Sequence, residues 1–441
     1  MSDIERTEQL VEQGARTLRV MYPDLHGIAR GKDLVLADAG HEIEDGVAFC
    51  SAIMTTDLAH TPVMGGEIGY PDFFARPDLS TAAALPWAPD VAACLVDLVD
   101  EEGNPHPFDP RGAVRRAADG LAELDLLPIV GPELEFFLFK PDDAAPEGAV
   151  RYVDTLSRVY TVGAESDPGG ISGRMLHACA EMGLGAYAAN HEFMNSQYEI
   201  NLRHGPALDA ADRAFRLKAT VKEMAVLEEM RATFMGRPFN DQGGSGLHLH
   251  VSLQDGDGAN RIGDPAGPDG LSAAALSFIA GVLEHAGALM AFLNPTVNAF
   301  KRIAPDSLAP INVSWGLDNR TTFVRVPPER GKAARLEIRV GDGTANCHLA
   351  IAALLQAGLD GVRRELEAPE QTAGDAYRRE DLAPLPSSLD QALDALEADE
   401  LLCDGVGREI VDAFLTLKRF ELERYHGWVT DWERNEYRIQ L

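Results

Sequence analysis

The chain has 441 residues, 45% hydrophobic and 25% charged, a balance that suits a globular protein longer than one typical core and therefore two domains. Its formal net charge of −31 argues against nucleic acid as a partner, because phosphate backbones recruit basic surfaces. No run approaches ~18 apolar residues, the start lacks a basic stretch followed by an apolar one, and the five cysteines (Cys50, Cys94, Cys179, Cys347, Cys403) show no CxxC. These features predict a cytoplasmic protein with no membrane partner, no disulfide framework and no zinc ribbon.

Residues 1–15 suit a short helix, and Thr17 to Tyr22 and Ala29 to Leu36 read as strands around the turn Pro23-Asp24-Leu25-His26-Gly27. Pro62 to Pro89 is rich in Pro, Gly and acids and reads as an ordered loop region before a strand at Ala92 to Leu98. Residues 1–105 thus form a small α+β domain, and 106–441 the larger one. Asp109-Pro110 opens a helix, with an N-cap acceptor and proline at the first helical position. Further helices are predicted near 171–183, 207–231, 271–292 and Ala345 to Leu366. The part from about 388 reads as mostly helical, with a strand-like end at Glu436 to Leu441.

The chemistry gathers on strands. Gly131-Pro132-Glu133-Leu134-Glu135-Phe136-Phe137-Leu138-Phe139 has the β-favouring composition of a central strand. Alternation puts Glu133 and Glu135 on one face and Leu134, Phe136 and Leu138 on the other. Two such carboxylates repel by roughly 4 kcal/mol at ~4 Å and an effective dielectric near 20. A solvated strand edge would tolerate that; a core strand needs a cation between them, and a hard divalent ion is the natural candidate. The pattern recurs in Gly246-Leu247-His248-Leu249-His250-Val251-Ser252 and in Arg335-Leu336-Glu337-Ile338-Arg339. His191-Glu192-Phe193-Met194-Asn195-Ser196-Gln197-Tyr198-Glu199 adds two acids around a short loop. Five carboxylates and a histidine read as one metal-lined cavity. Removing Glu135 or Glu337 is then expected to relieve repulsion and leave metal-free stability unchanged or higher. The glycine-bearing segments match neither a P-loop nor a Rossmann fingerprint.

GPELEFFLF, HEFMNSQYEI, GGSGLHLHVS, NPTVNAFKR, APINVSWGLDNRTTFVRVP and ARLEIRVGDGTANCHLAIAALLQAGLDGV, in this order, resemble the glutamine synthetases of the type I lineage. The resemblance implies an α+β fold with an N-terminal β-grasp domain and a catalytic domain whose curved antiparallel sheet forms a two-ended funnel. It implies ATP as cosubstrate at one end, a glutamate-like acid towards the other, and two or three Mg2+ or Mn2+ ions between. It also implies a homo-oligomer, a dodecamer of two hexameric rings in which a neighbour's N-terminal domain completes each site. Residue by residue, Glu135, Glu192 and Glu199 match the ligands of one metal and Glu133, His248 and Glu337 those of another. His250, Ser252, Arg325 and Arg335 match nucleotide-contacting positions, with Arg320 and Arg325 on phosphate. Gly244, Arg302 and Arg339 match residues that hold the substrate acid and the phosphate in transfer, which makes Arg302, Arg320 and Arg339 the catalytic candidates.

The acceptor half departs from the family. Phe49 stands where ammonia-using relatives carry an ammonium-binding Asp, Leu308 where they carry a catalytic Glu, and Gly243 where an Asn usually precedes Gly-Ser-Gly. Tyr187 replaces an acid near the adenosine. An ammonium pocket needs carboxylates to offset desolvation of a small cation; Phe and Leu leave a neutral, apolar pocket suited to an amine bearing hydrocarbon. The expectation is an ATP-dependent glutamate–amine ligase acting through an acyl phosphate, with ammonia a poor acceptor. Alternatives are a kinase of the same fold, a non-catalytic relative, or a true glutamine synthetase.

Overall fold

Alternating apolar residues near the start of the chain fold as a five-stranded sheet in a computed structural model that describes residues 3–145, 148–153 and 159–439. Its strands are β1 (Thr17–Pro23), β2 (Ala29–Val35), β3 (Val47–Cys50), β4 (Asp72–Leu85) and β5 (Ala88–Val99), ordered β2-β1-β5-β4-β3. β1 runs parallel to β5, and the other pairs are antiparallel. Leu18, Val20 and Tyr22 on β1 and Phe73, Ala75 and Leu79 on β4 bury one face.

The expectation of a loop across Pro62 to Pro89 is corrected here, since β4 occupies most of its second half and β5 begins at Ala88. Pro77 hid the strand, because proline supplies no N–H to a ladder. β3 covers β4 only from Asp72 to Ala75, so at Pro77 that side of β4 has no strand neighbour and the missing donor is harmless.

The second sheet carries β6 (Leu127–Pro141), β7 (Ala149–Arg151), β8 (Ala186–His191), β9 (Gln197–Leu202), β10 (Gly205–Pro206), β11 (Arg231–Thr233), β12 (Gly246–Gln254), β13 (Trp315–Leu317), β14 (Val324–Val326) and β15 (Leu336–Asp342). The main path runs β13-β14-β15-β12-β6-β9-β8, and β7, β10 and β11 also pair with the long β6. All pairs are antiparallel except β13–β14, giving the mixed α+β fold with a curled sheet. On β6, Leu134, Phe136 and Leu138 are buried on the core face while Glu133 and Glu135 keep partial access on the other.

Helices back both sheets. Pro110–Ala122 begins as expected, with the Asp109 carboxylate accepting from the Arg111 N–H at 3.0 Å. Arg111 then ties the layers together. Its fully buried guanidinium donates to Asp78 on β4 at 2.9 Å, to Asp97 on β5, and to both oxygens of Asp212 in the helix Ala207–Leu227 at 3.0 and 2.9 Å. His348 reaches the same Asp212 at 2.8 Å from the helix Cys347–Arg363.

Two other expectations change. The single helix at 271–292 is two, Ala273–Glu284 and Ala286–Leu293, bent by 75° at His285. No Gly or Pro marks the break; it is held by tertiary bonds from the imidazole. Ala273–Glu284 crosses Cys347–Arg363 so closely that a Cβ on Gly281 would lie 2.2 Å from the Ala357 carbonyl oxygen. At the C-terminus, Glu436 and Tyr437 belong to the helix Asp431–Tyr437, opened by a capping box between Thr430 and Glu433, rather than to a strand. Residues 440 and 441 of that expected strand lie outside the described residues. No single helix among the described residues is long and apolar enough to cross a membrane.

Candidate active site

Strand register assembles the cavity. Glu133 on β6 lies opposite His248 on β12, and Glu135 lies opposite Glu199 on β9. On the far side of β12, His250 faces Glu337 on β15, which in turn faces Arg325 on β14. Side chains of one parity on five neighbouring strands therefore converge on one face, while the other parity packs the core.

The ion pairs show two environments. At the β12 end, Glu133 lies 3.0 Å from His250 Nε2 and 3.4 Å from His248 Nδ1, and His248 Nδ1 lies 3.9 Å from Glu337. Burial would raise the Glu133 pKa, but hydrogen bonds and charge from His248 and His250 outweigh it and hold the carboxyl well below its usual range. Buried Glu337 bonds to both Arg325 and Arg339; against burial, His248 and these guanidiniums lower it to about 2. Glu133, His250 and Glu337 offer ligand atoms within 4.8 Å of one another. Both imidazoles reach Glu133, so His250 is as close to this group as His248, the residue expected from sequence.

At the β9 end the charge is uncompensated. Burial raises the pKa of Glu199, and the adjacent charges of Glu133, Glu135 and Glu192 raise it further; Glu192 is raised by burial and by Glu135. Glu192 and Glu199 are close neighbours, and two buried carboxyls so placed resist carrying two negative charges. Glu135 accepts from the Gly246 N–H and from Gln197 Nε2, each at 2.8 Å. A buried set of hard oxygen donors with excess negative charge fits a divalent cation, which relieves the crowding that protonation otherwise relieves.

The neutral side chains that orient these acids were missed. Asn190 donates to Glu192 at 2.6 Å, Asn201 to Glu199 at 2.7 Å, and Gln197 bridges Glu135 and the Gly244 carbonyl. Gln197, Glu199 and Asn201 fall at every second position of β9, a period-two polar signal that the sequence did display.

Beside Glu133 opens a cavity of about 280 Å³, lined by Gly131, Tyr187, His204, His250, Ser252 and Arg335 among others. Arg335 Nε donates to His250 Nδ1 at 3.2 Å, and Ser252 bonds to the Ala334 carbonyl at 3.2 Å. Three of the four expected nucleotide residues thus line one recess, with Tyr187, and Arg325 sits deeper on Glu337. Arg203 lies 5.1 Å from the centre of the Tyr187 ring.

Arg302 is buried, with Nη1 donating to the Val340 carbonyl at 3.2 Å, and burial lowers its pKa. A Cβ on Gly246 would lie 2.8 Å from Arg302 Nη2 and 3.0 Å from His248 Nε2, so glycine there lets Arg302 reach the cavity. Arg339 Nε donates to the backbone carbonyl of Arg320 at 3.2 Å, which places Arg320 at the same end. Gly244, just before β12, packs beside the same arginine, where a Cβ would lie 3.3 Å from Arg302 Cγ.

The two acceptor residues fall apart within one chain. Leu308 is 42% exposed on the loop after Arg302, in a left-handed conformation (φ 58°) that Asp306 shares (φ 61°). Phe49 instead stacks on Phe73, with centroids 5.8 Å apart, meets Tyr22 edge-on at 5.1 Å and lies under Lys32 at 4.5 Å. All three partners belong to the first sheet. Gly243 sits against Met194, whose Sδ is 3.1 Å from its N–H.

Residues 107–437 match the family model described as "Glutamine synthetase, catalytic domain". A curated relative, "Glutamine synthetase" of Thermotoga maritima, is 34% identical over 453 residues, covering 98% of this chain and 99% of the relative. Among solved structures, "Apo GmaS without ligand" aligns at a TM-score of 0.89 and 33% identity over 100% of both chains. "GmaS/ADP complex-Conformation 1" aligns at 0.89 and 32% identity over 99% of each.

Proposed function

The chain belongs to the glutamine synthetase family of ligases, and on that premise we propose that it joins the γ-carboxylate of glutamate, or a similar acid, to an organic amine at the expense of ATP. The observation that carries the amine reading is Leu308, an apolar, partly exposed side chain on the loop that follows Arg302. The likeness to GmaS, a γ-glutamylmethylamide synthetase, supports it, and the ADP complex of that protein supports nucleotide in the recess beside Glu133. The name of the Thermotoga maritima relative favours a second reading, ammonia-using glutamine synthetase.

Glu135, Glu192 and Glu199 would hold one Mg2+ or Mn2+, and Glu133, His248 and Glu337 another; bound there, the ions neutralise phosphate charge during γ-phosphoryl transfer. The residues of the chain do the rest. His250, Ser252 and Arg335 place the nucleotide, and Arg325, held by Glu337 and Asp318, presents a fixed guanidinium to its phosphates. Arg302 and Arg339 orient the substrate acid as planar forks, and Arg320 adds charge where the phosphoryl group lands. The γ-carboxylate then becomes an acyl phosphate, and a neutral amine displaces phosphate to form the amide.

Ammonium finds nothing at Leu308 to offset its desolvation, whereas each buried methylene contributes about 0.8 kcal/mol to a larger amine. The test is an amine panel with ATP and glutamate, scoring phosphate release and product mass. Methylamine or ethylamine should exceed ammonium and a diamine in kcat/KM. Wild type that prefers ammonium supports the second reading instead.

A further inference from the structure

The loop carrying Leu308 is held by a side chain far along the sequence. Two non-glycine residues of one short loop, Asp306 and Leu308, have positive φ, a conformation that persists only where the surroundings over-determine it. From outside the loop, Tyr377 reaches it with a hydrogen bond. Its hydroxyl donates to the Ala309 carbonyl at 3.1 Å, and the Leu308 N–H faces the same oxygen. One phenol thus fastens the backbone immediately after Leu308.

Tyr377 is itself anchored. The Ala376 N–H donates to Thr321 Oγ1 at 3.0 Å, and buried Asn312 donates to the Ala376 carbonyl at 2.9 Å. Asn319 adds bonds to the Thr372 and Gly374 carbonyls at 3.1 and 2.7 Å. These bonds tie the Tyr377 segment to the stretch that carries Arg320. Arg339 and Asp306 lie within electrostatic reach of the phenol, and the phenol within reach of Arg302. The tyrosine therefore bonds to the loop while lying within electrostatic reach of the arginines assigned to the substrate acid.

We propose that Tyr377 is a positioning residue for the amine-accepting end: its hydroxyl pins Leu308 over the activated carboxyl group, where Leu308 admits an amine and excludes water. This rests on the ligase reading above. Amide formation makes a C–N bond, breaks the C–O bond to phosphate and releases one amine proton. Water attacking the same carbon breaks the same C–O bond and returns the free acid, so ATP is consumed without product. A loosened loop increases that second route.

The experiment compares wild type, Tyr377→Phe and Arg378→Ala with ATP, glutamate and methylamine, measuring phosphate released per amide formed and the KM of each substrate. Arg378 is the exposed neighbour whose guanidinium, among the described residues, bonds to Asp375. Wild type should release about one phosphate per amide. Tyr377→Phe should raise that ratio and the methylamine KM roughly fivefold, the size of one lost neutral hydrogen bond, with the ATP KM within about twofold. Arg378→Ala should match wild type, and unfolding temperatures of all three should agree. An unchanged ratio and methylamine KM in Tyr377→Phe, or equal uncoupling in Arg378→Ala, overturns the positioning role alone. Wild type that forms no amide from glutamate with methylamine or any other amine, ammonium included, overturns the ligase reading itself.

Discussion

Glu199 and Glu337 carry the same functional group in one cavity, yet their surroundings are opposite. Glu337 is clamped by Arg325 and Arg339, so the sequence-based expectation that its removal relieves repulsion is reversed. Deleting one partner of a buried pair strands the other and costs roughly 3–5 kcal/mol. Glu337→Ala should therefore lose turnover and also unfold at a clearly lower temperature without metal. Glu199 meets carboxylates instead, and its raised pKa marks a native state that prefers it neutral. Glu199→Gln should lose turnover while its metal-free Tm equals or exceeds that of wild type. Its Tm should also rise less than wild type's on adding Mg2+, since a ligand that binds the native state stabilises it in proportion to affinity. Thermal scans with EDTA and with Mg2+ decide both, and a Glu337→Ala variant as stable as wild type would contradict the clamp. Parity on a strand was legible in the sequence and put Glu133 with Glu135, and His248 with His250, on shared faces, whereas Glu192 lies on the loop after β8, outside that rule. Which guanidinium neutralises which carboxylate was not legible, because Arg325 meets Glu337 only through the register of β14 on β15.

Elements were legible where local chemistry determined them. The helix after Asp109-Pro110 and the strand around Glu133 both begin with signals in their own residues. The bend at His285 had no such signal, since its cause comes from sequence-distant partners. His285 Nδ1 bonds to Asp399 at 2.6 Å and Nε2 to Asp360 at 3.1 Å, joining the bent pair to the helices Cys347–Arg363 and Leu389–Ala398. Arg364 shares Asp360 at 2.7 Å, and Glu284 precedes the imidazole. Burial alone would lower the His285 pKa, but the hydrogen bonds and charges of Asp399 and Asp360 outweigh it and raise the value above its usual 6.5. A raised histidine pKa stabilises the fold fully below the unfolded value and loses that contribution as pH climbs through the folded one. The stability difference between wild type and His285→Gln should thus be largest near pH 6, on the order of 2 kcal/mol for charge-assisted bonds, and shrink towards pH 9, which unfolding curves at each pH measure. A difference that is constant or grows with pH would rule out an imidazolium staple.

Across the whole molecule, the first sheet is fastened by buried charge to the helix Ala207–Leu227, through Arg111, and the turn after β1 to the helix Cys347–Arg363, by Asn346 donating to the Asp24 carbonyl at 2.9 Å. Phe49 belongs to the first sheet, opposite Phe73 on β4. Its ring is committed to Tyr22, Phe73 and Lys32, and the second-sheet site is built from other residues. If Phe49 shapes an amine pocket, that pocket would be shared with a neighbouring subunit of the proposed assembly. The chain also leaves large apolar side chains uncovered near its end: Trp428 is 71% exposed, Trp432 62% and Ile439 80%. At ~25 cal/mol per Å2 of apolar area, such residues contribute substantially once a second copy buries them. The expectation is therefore an assembly whose activity depends on subunit contact, with twelve copies proposed on the resemblance. Trp428→Ser with Trp432→Ser should shift light-scattering mass downward and lower amide formation in step, while the isolated subunit keeps its fold by circular dichroism. Adding Phe49→Asp and Leu308→Glu to the intact assembly should move kcat/KM towards ammonium, because both carboxylates then face one cation from two subunits. A fully active monomer, or a double variant whose preference shifts equally in monomer and assembly, would refute the shared pocket.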